Sequence, residues 1–451
     1  MNFSKLNLSE EMLTNLDSLG YKSMTAIQAE ALPFILDGKD VIAQAKTGSG
    51  KTAAFGIGLL SKLDVKRFRV QTLVLCPTRE LADQVAKELR KIARFKHNIK
   101  ILMLTGGESF GKQLGSLSHQ AHIVVGTPGR VLKHLSKESL ELTNLQTLVL
   151  DEADRMLDMG FLEEVESVLA YAPKERQTLL FSATYDDTIT AISRKIQRDA
   201  VAVKTTHEEV ANKIKEEFYA TSTKEDTFVK ILSQFKPENV IVFVNTKAQA
   251  RELEENLQKR KIDALAIHGD LEQYERNDVL VQFSNKSCPI LVATDVAARG
   301  LDIKELTMVV NFDLPHGSET YTHRIGRTGR AGAEGIAISL YSSFERENAD
   351  EYRDSKREFY EDVDLKGSTN FELKPQYVTL VIEGGKKDKL RAGDLLGALT
   401  GDGGLDGSSI GKIDIYDRQA YVAIATKFID KAHDSLKNGK IKGKKFSVWA
   451  L

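Results

Sequence analysis

Short apolar runs recur along the chain, and each run is followed by turn residues and then by a segment with helical periodicity. The runs form two series. The first series occupies residues 40–43, 72–76, 122–125, 147–150 and 178–181, and the second occupies residues 240–244, 264–268, 290–294, 308–312 and 335–340. Strands that alternate with helices in this way are typical of parallel sheets covered by helices on both faces. The pattern therefore predicts two α/β domains in tandem.

A different pattern begins after Pro375. Four short strands are predicted at residues 377–382, 410–416, 419–425 and 445–449, with helical segments at residues 391–400 and 427–436. Their order, β-α-β-β-α-β, is that of an RNA-recognition-motif sandwich. Residues 344–364, just before this region, contain 9 acidic and 4 basic side chains, and we predict an exposed helix or tether there.

Composition limits the class of protein. A chain of 451 residues with 41% hydrophobic and 28% charged residues is ordinary for a globular protein with several domains of roughly 100–200 residues each. No apolar run approaches the roughly 18 residues that span a bilayer, and the first residues lack the apolar stretch of a signal peptide. Cys76 and Cys288 lie in or beside apolar runs, which fits a reducing compartment. We therefore expect a cytoplasmic protein that does not bind membranes.

Charge is unevenly distributed along the chain. The formal net charge is −1 at pH 7, which argues against a protein that is basic all over. Residues 375–451, in contrast, contain 13 Lys/Arg and 9 Asp/Glu, an excess of positive charge. Any polyanionic partner would therefore be bound by local basic patches.

A glycine-rich segment separates the first predicted strand from the helix after it. Its residues are Ala45, Lys46, Thr47, Gly48, Ser49, Gly50, Lys51 and Thr52. The two glycines let the backbone curl so that several N–H groups point inward beside the positive end of a helix, as in phosphate loops. Lys51 can then reach the β- and γ-phosphates, and Thr52 can bind Mg²⁺. Ala45 replaces the glycine that begins the strict pattern, and its small side chain should still fit.

Three carboxylates stand at the exit of one buried strand. Asp151, Glu152 and Asp154 follow directly on the apolar run at residues 147–150. A nucleotide held by the phosphate loop needs one carboxylate to hold Mg²⁺ and a second to orient the attacking water. Asp151 is the candidate for the first role and Glu152 for the second. An acidic helix start is common on protein surfaces, so the signal depends on its pairing with the phosphate loop.

Together these motifs resemble those of the DEAD-box RNA helicases, whose box is residues 151–154 here, and the resemblance extends over nearly the whole chain. It implies ATP and Mg²⁺ as cofactors. In the segment at residues 20–28, the family places Gln28 on the adenine edge and Tyr21 against the adenine ring. Mg²⁺ would be held by Thr52 and Asp151.

The resemblance also implies a fold. It is α/β, with two RecA-like parallel-sheet domains in tandem followed by a small α+β domain of the RRM type (βαββαβ). The expected boundaries are residues 1–206 and 207–365 for the RecA-like domains, the second ending in the acidic segment, and residues 375–451 for the RRM-like domain.

Further segments of the first domain resemble parts of the family that grip RNA phosphates. They are PTRELADQ at residues 77–84, a Gly106–Gly107 pair and TPGR at residues 127–130. The resemblance assigns RNA contacts to Arg79, Gly107, Thr127, Gly129 and Arg130. Residues 182–184, SAT, resemble the motif that couples the ATP site to RNA, and the hydroxyls of Ser182 and Thr184 are expected to hydrogen-bond with Asp154.

The second domain contains ATDVAARGLDI at residues 293–303 and HRIGRTGR at residues 323–330. Arg324, Arg327 and Arg330 recur at every third position, so we predict that they share a broad face of one helix. Outside a family context, three arginines on a helix are usually just solvated. The resemblance makes Arg327 and Arg330 arginine fingers, which contribute roughly 10³–10⁵ in rate. It also assigns ribose contact to Asp302, and contact with the RNA backbone to Thr294 and Arg299.

Coupling between ATP and RNA follows from this division of motifs. The active site would be complete only when the two domains close, and each ligand would raise the affinity for the other. Closure would bend one RNA strand and separate a few base pairs. Since each stacking step is worth on the order of 1–2 kcal/mol, one closure should melt only a short duplex.

The tail resembles the terminal domain of the DEAD-box protein A (DbpA) subfamily, which docks on a hairpin of large-subunit ribosomal RNA near the peptidyl-transferase centre. Its candidate RNA contacts are Lys386, Lys387, Lys389, Arg391 and Tyr421. Tyr421 is the one aromatic residue at the expected base-stacking positions of the central strands, so a platform for single-stranded bases is doubtful. The lysines suit a folded RNA bound through its shape and phosphates. Alternatively, they form a solvated loop.

The sequence thus predicts a monomeric ATP-dependent RNA helicase whose partners are structured RNA, above all large-subunit ribosomal RNA, and pre-ribosomal particles. Two alternatives stay open. One is a general RNA chaperone or mRNA-remodelling helicase, whose tail adds only non-specific affinity. The other is an ATP-gated RNA clamp that binds without useful unwinding.

Overall fold

The computed structural model describes residues 2–45, 48–185, 187–205, 214–298, 306–329, 334–401 and 403–451. Three sheets organise these residues. Two are seven-stranded and the third has four strands. The structure forms two compact units: the first contains one large sheet, and the second contains the other large sheet together with the small one. All strand pairs within the two large sheets are parallel, and those of the small sheet are antiparallel. The predicted fold class, two RecA-like domains and a small α+β domain, is therefore confirmed.

The first large sheet has the strand order β3-β4-β2-β5-β6-β1-β7. Its strands are β1 (Val41–Gln44), β2 (Thr72–Leu75), β3 (Ile101–Leu104), β4 (Ile123–Gly126), β5 (Thr147–Asp151), β6 (Gln177–Ser182) and β7 (Val201–Lys204). Helices of this part are α1 (Glu10–Ser18), α2 (Ala26–Leu36), α3 (Lys51–Lys62), α4 (Arg79–Ile92), α5 (Phe110–Leu117), α6 (Pro128–Ser136), α7 (Ala153–Asp158), α8 (Leu162–Leu169) and α9 (Asp187–Ile196). Separate apolar clusters cover the two faces, since alternate residues of β5 and β6 belong to different clusters. Because parallel strands share one carboxyl edge, the segments after β1, β5 and β6 lie along the same edge.

The second large sheet has the order β10-β11-β9-β12-β13-β8-β14. Its strands are β8 (Ile214–Ala220), β9 (Val240–Val244), β10 (Ala264–Ile267), β11 (Ile290–Thr294), β12 (Met308–Asn311), β13 (Gly335–Tyr341) and β14 (Glu358–Glu361). Its helices are α10 (Lys224–Phe235), α11 (Lys247–Lys259), α12 (Gln273–Ser284), α13 (Asp295–Ala298), α14 (Ser318–Ile325) and α15 (Arg346–Asp350).

The acidic segment at residues 344–364 fits the prediction only in part. The short helix α15 is largely exposed, as expected, but the segment is not a tether, because it also contains the edge strand β14, which pairs with β8. The ring of Phe359 stacks on the buried ring of Phe218, with centroids 4.6 Å apart and 13° between the planes. In β14 two glutamates flank Phe359 and Tyr360, so the high acidic content of the segment hid the pattern of an edge strand.

The small sheet has the order β16-β17-β15-β18, with β15 (Tyr377–Ile382), β16 (Ile410–Ile415), β17 (Ala420–Ala425) and β18 (Val448–Ala450). The helices α16 (Ala392–Thr400) and α17 (Ile429–Asn438) pack on one face and form its apolar core. The predicted order of elements is confirmed. Within the part of the chain that the structure describes, no helix is long and apolar enough to cross a membrane.

Candidate nucleotide and RNA site

The phosphate loop leads from β1 into the N-terminus of α3. Lys51 is the first residue of α3, and its side chain is buried. Gly50 precedes it with φ 93°, a left-handed conformation that favours glycine, and a Cβ there would lie 2.5 Å from Nε2 of Gln28. The Ala45 N–H donates to the Ser182 carbonyl at 2.9 Å, which fixes the start of the loop to β6. Of the predicted phosphate-loop residues, Lys46 and Thr47 lie outside the described residues.

Gln28 connects the predicted adenine-reading segment to the phosphate loop. Its Oε1 accepts from the Thr25 N–H at 3.0 Å, and its Nε2 donates to the Gly50 carbonyl at 3.2 Å. A glutamine amide has two donors and two lone pairs, so one of each is left for a purine edge. Tyr21 packs against the C-terminal half of α4, where its hydroxyl donates to Glu88, and its ring meets Phe3 edge-on at 6.4 Å.

The carboxylates after β5 occupy contrasting backbone positions. Asp151 is the last residue of β5. Burial raises the pKa of its carboxyl; Lys51 opposes this shift and Glu152 adds to it, so that the pKa is about 6. Glu152 has φ 54° and ψ 54°, a left-handed conformation that a non-glycine residue adopts at a cost of roughly 1–3 kcal/mol. Its Oε2 accepts from Arg155 Nη1 at 2.9 Å in a buried ion pair. This left-handed backbone conformation sets the direction of the Glu152 side chain between the end of β5 and the start of α7.

Buried polar atoms without partners mark the ligand site. Among the described residues, no hydrogen-bond partner exists for Lys51 Nζ, Asp151 Oδ1, or the hydroxyls of Ser49, Ser182 and Thr184. An unmade hydrogen bond at a buried group costs about 1–3 kcal/mol, and more where the group is charged. A cation, an anion and three hydroxyls in this condition are complementary to a phosphate group and a divalent cation. The donor set therefore fits Mg-nucleotide, with half-buried Thr52 in the first turn of α3.

The predicted link between the box and residues 182–184 is present, but the atoms differ from the prediction. Asp154 Oδ2 accepts from the backbone N–H groups of Ala183 at 3.0 Å and Thr184 at 3.2 Å. The hydroxyls of Ser182 and Thr184, which we expected to make this contact, do not. The link between α7 and the segment after β6 is therefore made by backbone donors.

The three predicted RNA-gripping segments of the first unit lie together. A Cβ on Gly106 would lie 2.8 Å from Nη2 of Arg79, so the guanidinium packs directly on the Gly106–Gly107 turn. Thr127 donates its N–H to the Leu104 carbonyl at 3.1 Å, which holds the start of α6 against the end of β3. Gly129 is exposed in the first turn of α6. Arg130 Nη1 donates to the Glu108 carbonyl at 3.0 Å, beside Gly107.

The predicted arginine helix of the second unit is wrong. Helix α14 ends at Ile325, so Arg324 and Arg327 do not share a helical face. Arg324 is 1% exposed and pairs with Asp295 through Nε and Nη2, both at 2.7 Å, while Nη1 donates to the Asp313 carbonyl at 2.7 Å. Sequence reasoning missed this structural role, because Asp295 lies 29 positions before Arg324 in the chain and no motif links the two. Arg327 is buried, and Thr294 is buried at the end of β11. The predicted residues Arg299, Asp302 and Arg330 lie outside the described residues.

The strand face of the small domain is covered by α12 of the same unit. Val281 packs against Val381 and Tyr421, and the Tyr421 hydroxyl donates to Asp278 Oδ1 at 3.2 Å. Asn285 donates to the buried Thr379 hydroxyl at 3.2 Å. Tyr421 is only 4% exposed, so its predicted role as an RNA contact is contradicted by this packing. No sequence signal marked α12 as its cover, because Asp278 and Val281 belong to no recognisable motif.

The basic residues of the small domain lie on neighbouring loops. Lys386, Lys387, Lys389 and Arg391 are exposed between β15 and α16. From the loop before β18, Lys442 donates to the Lys389 carbonyl at 3.0 Å, which joins the two segments into one basic surface. Lys389 and Lys442 both have left-handed backbones, with φ 62° and 53°. We call these five residues the basic loop cluster.

Comparison with known proteins agrees with this geometry. The family models for the DEAD/DEAH box helicase, the helicase conserved C-terminal domain and the DbpA RNA binding domain match residues 25–192, 223–332 and 379–450. The ATP-dependent RNA helicase DbpA of Escherichia coli (strain K12) is 52% identical over 453 residues, which span 100% of this chain and 99% of that protein. The chain belongs to the DEAD-box ATP-dependent RNA helicases. This helicase is therefore an RNA-dependent ATPase of the DbpA type.

Other relatives of this helicase match a smaller share of it. The DEAD-box ATP-dependent RNA helicase CshA of Bacillus cereus (strain ATCC 10987 / NRS 248) is 48% identical over 339 residues, 74% of this chain and 64% of that protein. Among solved structures, S. cerevisiae Dbp5 bound to RNA and ADP BeF3 has a TM-score of 0.72 and 32% identity, and covers 80% of this chain and 96% of that chain. Mss116p bound to ssRNA and AMP-PNP has a TM-score of 0.70 and 27% identity, over 80% of this chain and 78% of that chain.

Proposed function

We propose that this helicase locally unwinds short RNA duplexes during assembly of the large (50S) ribosomal subunit. Its C-terminal domain would direct it to a hairpin of 23S ribosomal RNA near the peptidyl-transferase centre. The observation that carries the proposal is the match of residues 379–450 to the DbpA RNA binding domain, in a chain that is similar to DbpA over its whole length.

The chemical step is assigned to residues at the carboxyl edge of the first sheet. Lys51 binds and neutralises the β- and γ-phosphates, and Glu152 orients and deprotonates the attacking water. Mg²⁺, held by Thr52 and Asp151, would stabilise the charge that develops on the phosphate oxygens. Arg327 is proposed as an arginine finger, and Arg330 as a second. The support for Lys51 and Asp151 is that Lys51 Nζ and Asp151 Oδ1 are buried and have no hydrogen-bond partner among the described residues.

RNA recognition in the tail is proposed to use shape and phosphates instead of base stacking. The strand face that ordinary recognition motifs use for bases is closed by α12, with Tyr421 beneath it. The basic loop cluster is exposed, and the hydrogen bond from Lys442 to the Lys389 carbonyl joins its two loops into one surface. Four cationic side chains from one loop suit the closely spaced phosphates of a folded hairpin.

A general RNA chaperone is the alternative that an observation favours. CshA is 48% identical over 74% of this chain, so much of the helicase core is shared with a relative outside the DbpA name and does not by itself specify an RNA target. The two hypotheses differ in what the tail does. A generalist would bind unrelated RNAs equally well through the basic loop cluster.

The deciding experiment measures ATPase rate against RNA concentration for two RNAs of equal length. One RNA contains the 23S hairpin with a flanking helix, and the other is an unrelated structured RNA. Half-maximal activation at a far lower concentration of the first supports hairpin targeting. Equal activation would overturn targeting and favour the generalist. A strand-separation assay with a short duplex tests the clamp: active ATPase without any unwinding would overturn the unwinding proposal.

A further inference from the structure

One buried glutamine joins the RNA-gripping segments of the first unit. Gln113 lies in α5 and is 2% exposed. Its Nε2 donates to the Thr105 carbonyl at 2.9 Å, directly before the Gly106–Gly107 turn. Its Oε1 accepts from Arg130 Nη1 at 2.7 Å and from His134 Nε2 at 3.1 Å. We propose that Gln113 is a positioning residue that fixes the Arg130 guanidinium, and the turn beside it, for binding of the RNA backbone.

The orientation of this amide is determined by its neighbours. The Thr105 carbonyl can only accept, so the NH₂ group of Gln113 must face it. Arg130 can only donate, so the amide oxygen must face the guanidinium. His134 therefore carries its hydrogen on Nε2, and the Ser139 hydroxyl lies 2.9 Å from Nδ1 and 3.0 Å from the His134 carbonyl. Both lone pairs of the Gln113 oxygen are thereby used, and the side chain has only one arrangement that satisfies all its partners.

His134 supports this arrangement as a neutral ring. The ring of Phe110 stacks on the imidazole with centroids 4.2 Å apart and 12° between planes. Burial, with smaller effects from Arg130 and Lys133, lowers the pKa of His134 to about 4, so it is uncharged near neutral pH. A protonated ring would place a second cation beside Arg130. The neutral ring instead donates one hydrogen bond to Gln113 without repelling the guanidinium.

Arg130 is held at one nitrogen and left open at the others. Nη1 is bound by Gln113 and by the Glu108 carbonyl. The other guanidinium N–H groups form no hydrogen bond with any described residue, and the side chain is half-buried. A guanidinium held in this way can present a pair of parallel N–H donors to one phosphate. Gln113 thus removes rotamer freedom that RNA binding would otherwise have to overcome.

The test compares Q113L with Q71L in the full-length protein. Gln71 is an equally buried glutamine of the same unit, and its amide bonds only to backbone groups of Asp64 and Arg67. The probe is a short RNA duplex with a single-stranded extension, used to activate ATP hydrolysis. We expect Q113L to raise the RNA concentration for half-maximal ATPase about three- to tenfold, with little change in the rate without RNA. Q71L should lower the melting temperature without changing the half-maximal RNA concentration.

A double-mutant cycle with R130A completes the test. Because Gln113 is proposed to act through Arg130, Q113L should add nothing to the effect of R130A. Additive effects, or an equal RNA defect in Q71L, would overturn the positioning role. The inference rests on the proposed RNA contact of Arg130, so an unchanged half-maximal RNA concentration in R130A would overturn that contact as well. An effect in R130A without one in Q113L would overturn the positioning role alone.

A second variant is available if Q113L folds poorly. H134F removes the Nε2 donor to the Gln113 oxygen and keeps an aromatic ring against Phe110, so one of the hydrogen bonds that hold the amide is lost. We expect a smaller increase in half-maximal RNA concentration in the same direction. An unchanged value in H134F, with R130A defective, would contradict the arrangement described here.

Discussion

At the scale of single residues, two adjacent carboxylates at the end of β5 differ in how their charges are compensated. Asp151 has a buried oxygen without a partner among the described residues, whereas Glu152 is paired with buried Arg155. Burial disfavours the charged form of the Asp151 carboxyl more than nearby Lys51 favours it, so its pKa is raised. The two neighbouring residues therefore suit different roles: Asp151 suits binding of a divalent cation, and Glu152 suits orientation of the attacking water.

Replacing Glu152 with glutamine separates binding from turnover. Gln keeps an oxygen that can accept from Arg155, so the fold should persist, but it cannot take a proton from water. We expect E152Q to lower the RNA-stimulated hydrolysis rate by roughly 10²–10⁴ while ATP still binds. Single-turnover hydrolysis and fluorescent-nucleotide binding measure the two properties. Hydrolysis near the unmodified rate would refute the role of Glu152.

We expect the charged Asp151 carboxylate to lower the stability of the fold and yet to be required for activity. Its pKa is raised to about 6, above the value of about 3.9 in an unfolded chain, so the folded protein binds this proton more tightly. The stability it contributes is present below about pH 4 and is lost as pH rises through about 6. D151N should therefore melt at a higher temperature than the unmodified protein near neutral pH, with the difference shrinking toward about pH 4, and should have no ATPase activity.

Thermal melts at several pH values measure this difference. E152Q is the matched control, because the Glu152 carboxylate already has a cationic partner and its removal should not raise the melting temperature. A D151N variant that is less stable than the unmodified protein at neutral pH would contradict the predicted cost of the buried charge.

At the scale of elements, the degree of burial decided what the sequence could predict. Every residue of β5 and β9 is buried, and such strands produce the continuous apolar runs from which both large sheets were predicted. The predicted series omitted four strands that are only partly buried. β8 and β14 mix charges with apolar residues, whereas β3 and β7 are short apolar runs that the prediction did not include. The sequence pattern also placed Asp151 at the end of a strand and Lys51 at the start of a helix, where the structure has them.

Contacts between distant elements were beyond the reach of sequence patterns. Spacing by threes predicted a helical face for Arg324 and Arg327, yet α14 ends between them at Ile325. The family resemblance predicted the wrong donors for Asp154, because backbone N–H groups are present at every position and leave no mark in the sequence. Gln113 and Val281 carried no motif at all, and only tertiary packing reveals their partners.

The contact between α12 and the small sheet can be tested with the single tryptophan of the chain. Trp449 is paired with Val381 across the sheet and so lies on the face that α12 covers. V281D would place a charge in this contact, at a cost of several kcal/mol unless the surfaces separate. We therefore expect a red shift of Trp449 fluorescence in V281D. The control N277D adds a charge at an exposed position of α12 and should leave the emission unchanged. An identical spectrum in V281D would contradict docking in solution.

At the scale of the whole molecule, charge is divided between parts with different tasks. The chain as a whole is nearly neutral, but the tail combines excess positive charge with a covered strand face. Electrostatic binding to phosphates is strongly dependent on salt, so the tail should dominate the salt dependence of RNA binding. The helicase core would then contribute most of the ATP dependence.

Neutralising the loop lysines should abolish the proposed RNA preference. In a variant with Gln at Lys386, Lys387, Lys389 and Arg391, we expect hairpin RNA to lose its advantage over unrelated RNA while the maximal ATPase rate persists. The salt slope of binding should fall by about 0.7–0.9 for each phosphate that the variant no longer neutralises.

The matched control changes four exposed lysines elsewhere in the same domain to Gln. These are Lys427, Lys431, Lys437 and Lys440, on and around α17. Equal losses of preference in both variants would mean that only net charge matters, and that the basic loop cluster has no special role.

The covered strand face has a consequence for protein engineering. Residues 375–451 transplanted onto another helicase would carry Val381 and Tyr421 into water, along with a buried threonine that had relied on Asn285. Such a graft would be prone to self-association unless its host supplied a compatible helix. The portable unit for retargeting is therefore not the tail by itself but the tail together with the surface of α12.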